Sequence, residues 1–164
     1  MESFQSPEVL YTLAEISIAV VGFTGVIVAL RFNNSIWSDV QKVRFSALTY
    51  PSLTALVSCF FPDIISYFTA SEANIWRASN LGIALLHVTN LVSFYLLVVR
   101  SEFNPATKGQ KLLGLLGGLT IVAHLLAAAN IVSYLEVIFI FGVMQQIGIG
   151  IHNFVLALSD PEKH

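Results

Sequence analysis

The feature that most constrains this chain is a nearly unbroken apolar run of 47 residues, Leu112 to Leu158. One helix of that length would reach about 70 Å, more than twice the ~30 Å hydrocarbon core of a bilayer. A break is required. The segment Asn130-Ile-Val-Ser133-Tyr-Leu-Glu136 supplies it, because Ser133 and Glu136 have the spacing of a capping box. The run then divides into two segments, 112–131 and 137–158, each long enough to cross a membrane. Three more apolar segments precede them, at 8–30, 45–70 and 78–99. In lipid each must be helical, since every backbone polar group has to be satisfied within its own segment. The expected fold class is all-α: a polytopic membrane protein, a compact bundle of five transmembrane helices forming one domain over residues 1–164.

Composition agrees. Of the 164 residues 55% are hydrophobic and only 11% charged, where a soluble domain averages roughly 45–50% and 25%. So few charges do not cover the surface of so small a soluble domain. Soluble, disordered and nucleic-acid-binding classes are excluded. The net charge of −2 argues against an acidic partner or a polybasic tether. Cys59, the one cysteine, lies in an apolar stretch and reads as a small buried hydrophobe.

Charge placement sets an orientation. Arg31, Lys42 and Arg44 fall between spans one and two, Arg100, Lys108 and Lys111 between spans three and four, and Lys163 in the tail. Arg77 alone falls on the opposite side. Seven basic residues against one place those loops and the C-terminus in the cytoplasm and the N-terminus outside. The acidic N-terminus (Glu2, Glu8) is not that of a cleavable signal peptide. Helix starts are signalled by Ser6-Pro7, Ser38 with Gln41, Ser71, and Thr107 with Gln110, and an end by Asp160-Pro161. Trp37, Trp76, Tyr11 and Tyr134 fall near the interfaces, as aromatic belts do. Pro62 should kink the second span. The economy of short loops suits a prokaryotic cytoplasmic membrane.

Function is sought among polar residues that lipid should exclude. In the first span Glu15, Ala19, Gly22, Gly25 and Ala29 share one helix face. That face suits close helix packing or a smooth solute path with Glu15 as a cation or proton site. The third span carries Asn80, Ala84, His87 and Asn90 on one face; the fourth, Gly117, Thr120, His124 and Ala127. The fifth has Gln145, Gly148 and His152 on one stripe and Gln146, Gly150 and Asn153 on the next. With each span centred in the bilayer, His87 lies within about 2 Å of the midplane and His124 about 4 Å outward. Glu15 and Asp63 lie about 7 and 9 Å outward, and His152 about 8 Å inward. Glu15, Asp63 and His124 are therefore expected to meet in the outer half, with His87, Gln145 and Gln146 at mid-depth and His152 and Asn153 inside.

This series reads as a ladder across the bilayer. The leading expectation is a small oligomeric channel or ion/solute-conducting protein. Its path would be lined by Glu15, Asp63, His87, Asn90, His124, Gln145 and His152, with Gly22, Gly25, Gly117 and Gly148 packing helices. The first alternative is a non-conducting assembly or partner subunit, in which the same groups hold helices together or bind another membrane protein. The second is a redox module with haem ligated by His87 and His124. A zinc site from Glu15, His87 and His124 has no closely spaced ligand motif behind it, so no metal is expected. No GxSxG, HExxH, CxxC or phosphate loop is present, and the chain reads as non-enzymatic. Expected partners are the lipid bilayer and further copies of the chain, with no nucleic acid.

Overall fold

The computed structural model describes residues 6–31, 39–100 and 108–159. All regular structure among them is helical: α1 Ser6–Arg31, α2 Asp39–Cys59, α3 Phe61–Ser66, α4 Glu72–Arg100, α5 Lys108–Ala128 and α6 Leu135–Ser159. Five stretches are long and apolar enough to cross a membrane: Pro7–Val26, Phe45–Ser66, Glu72–Arg100, Lys111–Ala128 and Leu135–Leu156. This is the architecture of a multi-pass membrane protein. The expected signals at Trp37, Ser38, Thr107, Asp160-Pro161 and Lys163 lie outside the described residues.

The bundle is inverted in polarity. Large apolar side chains such as Leu85, Val122 and Phe141 are exposed, while Ser17, Ser52, Ser58, Ser79, Thr120 and Asn153 are buried. In water such a surface would drive aggregation; in lipid it is the solvated face. Most of the buried hydroxyls are satisfied locally. Ser17 donates to the Leu13 carbonyl at 2.8 Å, Ser79 to Ile75 at 2.8 Å and Thr120 to Leu116 at 2.9 Å. A hydroxyl bonded one turn back behaves as a small side chain, so helices can approach without an orphaned donor.

Helices α2, α4 and α6 form a central triangle in which each touches the other two. α1 packs on α2 and α6, and α5 on α4 and α6. Among the described residues α1 touches neither α4 nor α5, and α2 does not touch α5. Two ends can be distinguished. The basic end holds the starts of α2 and α5 and the ends of α1, α4 and α6. The far end is filled by a dry core of Leu10, Ala14, Ala55, Cys59, Trp76, Ile83, Phe139, Val143 and Ile147, with Trp76 and Phe139 in tilted ring contact at 5.7 Å.

Helix ends correct the sequence reading in two places. The second span breaks instead of kinking. α2 stops at Cys59, and Pro62 sits in the first turn of α3, where its missing N–H matters least. The break before α6 falls where expected, but the device differs. Asn130 adopts φ 60°, and the Ile131 N–H reaches the Leu126 carbonyl at 2.9 Å while that of Asn130 reaches Ala127 at 3.0 Å. This is a Schellman ending with asparagine in the left-handed position. α6 starts at Leu135, so Ser133 stands one residue too early to cap it, and Glu136 Oε1 has no partner. Ser71 does cap α4, through a long 3.5 Å bond from the Asn74 N–H. Arg77, the lone base at the far end, donates from Nε to the Ala128 carbonyl at 3.1 Å, placing its charge at the negative end of α5.

Candidate functional site

The expected ladder is not formed. Glu15 is exposed on the outer face of α1. α2 and α6 stand between it and the histidines, because α1 contacts neither α4 nor α5. Glu15 therefore joins neither His124 nor a shared metal, and among the described residues no group of three or more metal-ligating side chains converges. Asp63 is engaged elsewhere: the Tyr11 hydroxyl donates to its Oδ2 at 2.8 Å, tying α1 to α3 at the far end. His152 is half-buried with Nε2 unpartnered, and Gln145 has both amide atoms buried without partners. Neither lines the cavity described below.

The structure does bring His87 and His124 together. Their rings stand edge to face, with centroids 5.3 Å apart and planes 72° apart. Both are buried, at 3% and 0% exposure. Their surroundings differ. His124 belongs to a clamp centred on Asn80, itself 0% exposed. The Asn80 Nδ2 group donates to the Trp76 carbonyl at 2.8 Å and to Leu135 at 2.9 Å, while its Oδ1 lies 2.7 Å from His124 Nδ1. With both amide protons given away, Oδ1 is the acceptor, and the network assigns the imidazole proton to Nδ1. One side chain thus joins α4 to α5 and α6.

His124 Nε2 lies against Gly142 of α6, where a Cβ would overlap the imidazole. The ring fills the space in which a side chain would begin. His124 Nε2 has no hydrogen-bond partner. His124 thus meets Asn80 through Nδ1 and Gly142 through Nε2. His87 has both ring nitrogens buried and without a partner.

His87 faces a cavity of about 120 Å³ between α2, α4, α5 and α6 in the basic half of the bundle. α2 and α5 stand apart, and the exposed Tyr50 and Leu91 on its rim leave the cavity open toward the outer face of the bundle. Its walls are mostly apolar: Pro51, Leu91, Phe94, Leu113, Ile121 and Ile149. The polar groups are His87, Asn90, Gln146 and Asn153, with Ser46 and Tyr50. Asn90 donates from Nδ2 to Thr54 Oγ1 at 2.8 Å, and Asn153 to its own helix at the Ile149 carbonyl at 2.9 Å. Gln146, 4% exposed, keeps Oε1 without a partner. Pro51 has no N–H to give the Ala47 carbonyl, and both residues line the cavity.

Two of the expected lining residues, His87 and Asn90, are therefore at the cavity. Gln146 and Asn153 share the helical stripe beside Gln145, and choosing between adjacent stripes needs the rotation of α6, which sequence does not give. The packing glycines also change. A Cβ at Gly22, Gly25, Gly117 or Gly148 meets nothing within 4 Å. Gly117 lines the cavity instead. Close helix approach occurs at Gly142, at Gly150 against Ser52, and at Gly82, where a Cβ would lie 2.7 Å from the Phe61 ring. Comparison with known proteins finds no matching family model, curated sequence or solved structure.

Proposed function

We propose that this chain is a membrane protein that passes a small uncharged solute, with the cavity as its solute site and the far end closed. One observation carries the reading. His87 and Gln146, each more than nine-tenths buried, line the cavity and hold polar atoms without partners just behind its surface. Native proteins seldom leave such groups bare, because each costs about 1–3 kcal/mol. A solute that enters the cavity offsets that cost once these side chains turn toward it. An uncharged solute is favoured over a cation because neither Glu15 nor Asp63 faces the cavity. A basic end turned to the cytoplasm follows from the positive-inside rule.

The test is solute uptake by proteoliposomes, followed by stopped-flow light scattering with urea and glycerol and compared with potassium and proton flux. Gly117→Leu fills the cavity, since nothing stands within 4 Å of a Cβ there. Wild type should pass the uncharged solutes, and the variant should fall to the protein-free rate while remaining folded. Ion flux without solute flux, or equal solute rates in both proteins, would overturn the reading.

A second reading, a partner or self-assembling subunit, has its own observation. The α1 face bearing Glu15, Gly22 and Gly25 is exposed, with open space over both glycines. Another copy of the chain seated there would bury the small-residue face.

A further inference from the structure

The cavity opens sideways, and beside it in a membrane lies lipid. Tyr50 of α2, Leu91 of α4 and Gly114 of α5 line it and are exposed on the outer face of the bundle. Nothing stands within 4 Å of a Cβ at Gly114 or Gly117. Its depth is that of one leaflet. On α5 the lining runs from Leu113 to Ile121, about 3 to 15 Å along the helix from Lys111 at the basic end. Half of a ~30 Å hydrocarbon core covers the same range. The surface it offers is mostly hydrocarbon. Asn90 gives Nδ2 to Thr54 and Asn153 gives Nδ2 to the Ile149 carbonyl. The His87 ring nitrogens and Gln146 Oε1 are buried behind the wall. Ser46, the lining residue of α2 nearest the basic end, and Tyr50 on the rim bring hydroxyl donors to the mouth, and the ester carbonyls of a phospholipid are acceptors.

We infer that a phospholipid of the leaflet at the basic end seats one acyl chain in this cavity, entering past Tyr50, Leu91 and Gly114, with its phosphate level with Arg100 and Lys111. Both bases are exposed, and their charge complements the phosphate. The volume of about 120 Å³ is a little below the ~150 Å³ of an apolar cavity that holds benzene, which leaves room for about five or six methylenes. A chain leaving bulk lipid gains little from the hydrophobic effect, because lipid is as apolar as the wall. It gains dispersion contacts with Pro51, Phe94, Ile121 and Ile149, which otherwise border a void. The inference does not depend on solute passage. A seated chain closes the cavity, and a solute enters only when the chain withdraws.

A lipid that labels what it touches makes the test. Phosphatidylglycerol with a diazirine midway along one acyl chain is reconstituted into vesicles with the full chain and irradiated, and labelled residues are located by mass spectrometry. Leu85 and Leu115, on the exposed apolar face, report contact with bulk lipid. Wild type should be labelled at those positions and also within the wall, at Phe94, Ile121 or Ile149. Gly117→Leu fills the cavity and Gly114→Leu narrows its mouth; each should lose the wall labelling and keep that of Leu85 and Leu115, which shows that the variant has inserted. Moving the diazirine toward the glycerol should shift the wall label from Ile121 toward Leu113, the order set by entry from the basic end. Wall labelling in vesicles that pass no solute would support the inference and remove conduction. Labelling confined to the exposed face in wild type, wall labelling that survives Gly117→Leu, or the reverse depth order would overturn it.

Discussion

Asn80 is the residue on which most of the polar packing converges. Its amide joins α4 to α5 through His124 and to α6 through the Leu135 carbonyl. Asn80→Leu keeps the volume but leaves the His124 Nδ1–H without a partner and removes the side-chain bond to that carbonyl. The expected loss is about 1–3 kcal/mol, read by unfolding in mixed micelles with rising dodecyl sulfate. Asn90→Leu breaks one interhelical bond beside the cavity and should lose about 0.6 kcal/mol. Glycine positions give a sharper contrast. Gly142→Ala drives a methyl into the His124 ring and should destabilise by about 1–3 kcal/mol. Gly22→Ala and Gly25→Ala enter open space and should change stability by no more than ~0.5 kcal/mol. Equal effects at the three positions would mean that α1 faces a partner as closely as α5 faces α6.

At the scale of elements, span positions were legible in the sequence because apolar length and punctuation decide them, and 112–131 followed by 137–158 matches α5 and α6 within a few residues. Rotation was not legible. Most spans carry apolar groups nearly all round, so periodicity does not identify the inward face, and Glu15 was assigned inward although α1 turns it out. Helix neighbours were illegible for the same reason, and the His87–His124 pair survives only because α4 and α5 do touch. The connection between α5 and α6 gives a prediction at this scale. Asn130 holds φ 60°, a conformation that glycine adopts freely and a β-branched residue does not. Asn130→Gly should be near neutral, while Asn130→Val should cost about 1–2 kcal/mol, measured by the same unfolding assay.

For the whole molecule, the division into a dry far half and a hollow basic half is the property that a solute-handling reading needs. It also makes topology measurable. In a Cys59→Ala background, Lys42→Cys at the basic end and Ser71→Cys at the far end should label from opposite sides of a sealed vesicle, with the Lys42→Cys thiol on the cytoplasmic side. Labelling of both from one side would remove the five-span arrangement. Self-association is tested separately by disulfide crosslinking of Gly22→Cys and Gly25→Cys. A dimer band at those positions and none at Leu85→Cys, which lies on the exposed face of α4, would place a second copy on α1.

The unequal lengths of two neighbouring helices tie this site to lipid thickness. α4 has 29 residues and α5 has 21, so they rise about 44 and 32 Å and differ by about 12 Å. A hydrocarbon layer of ~30 Å suits α5 upright, whereas α4 must tilt or protrude. Longer acyl chains relieve α4 and strain α5; shorter chains do the opposite. Acyl-chain length thus acts as a shear along the line where these two helices meet, and that line is where Asn80 holds His124 and His87 borders the cavity.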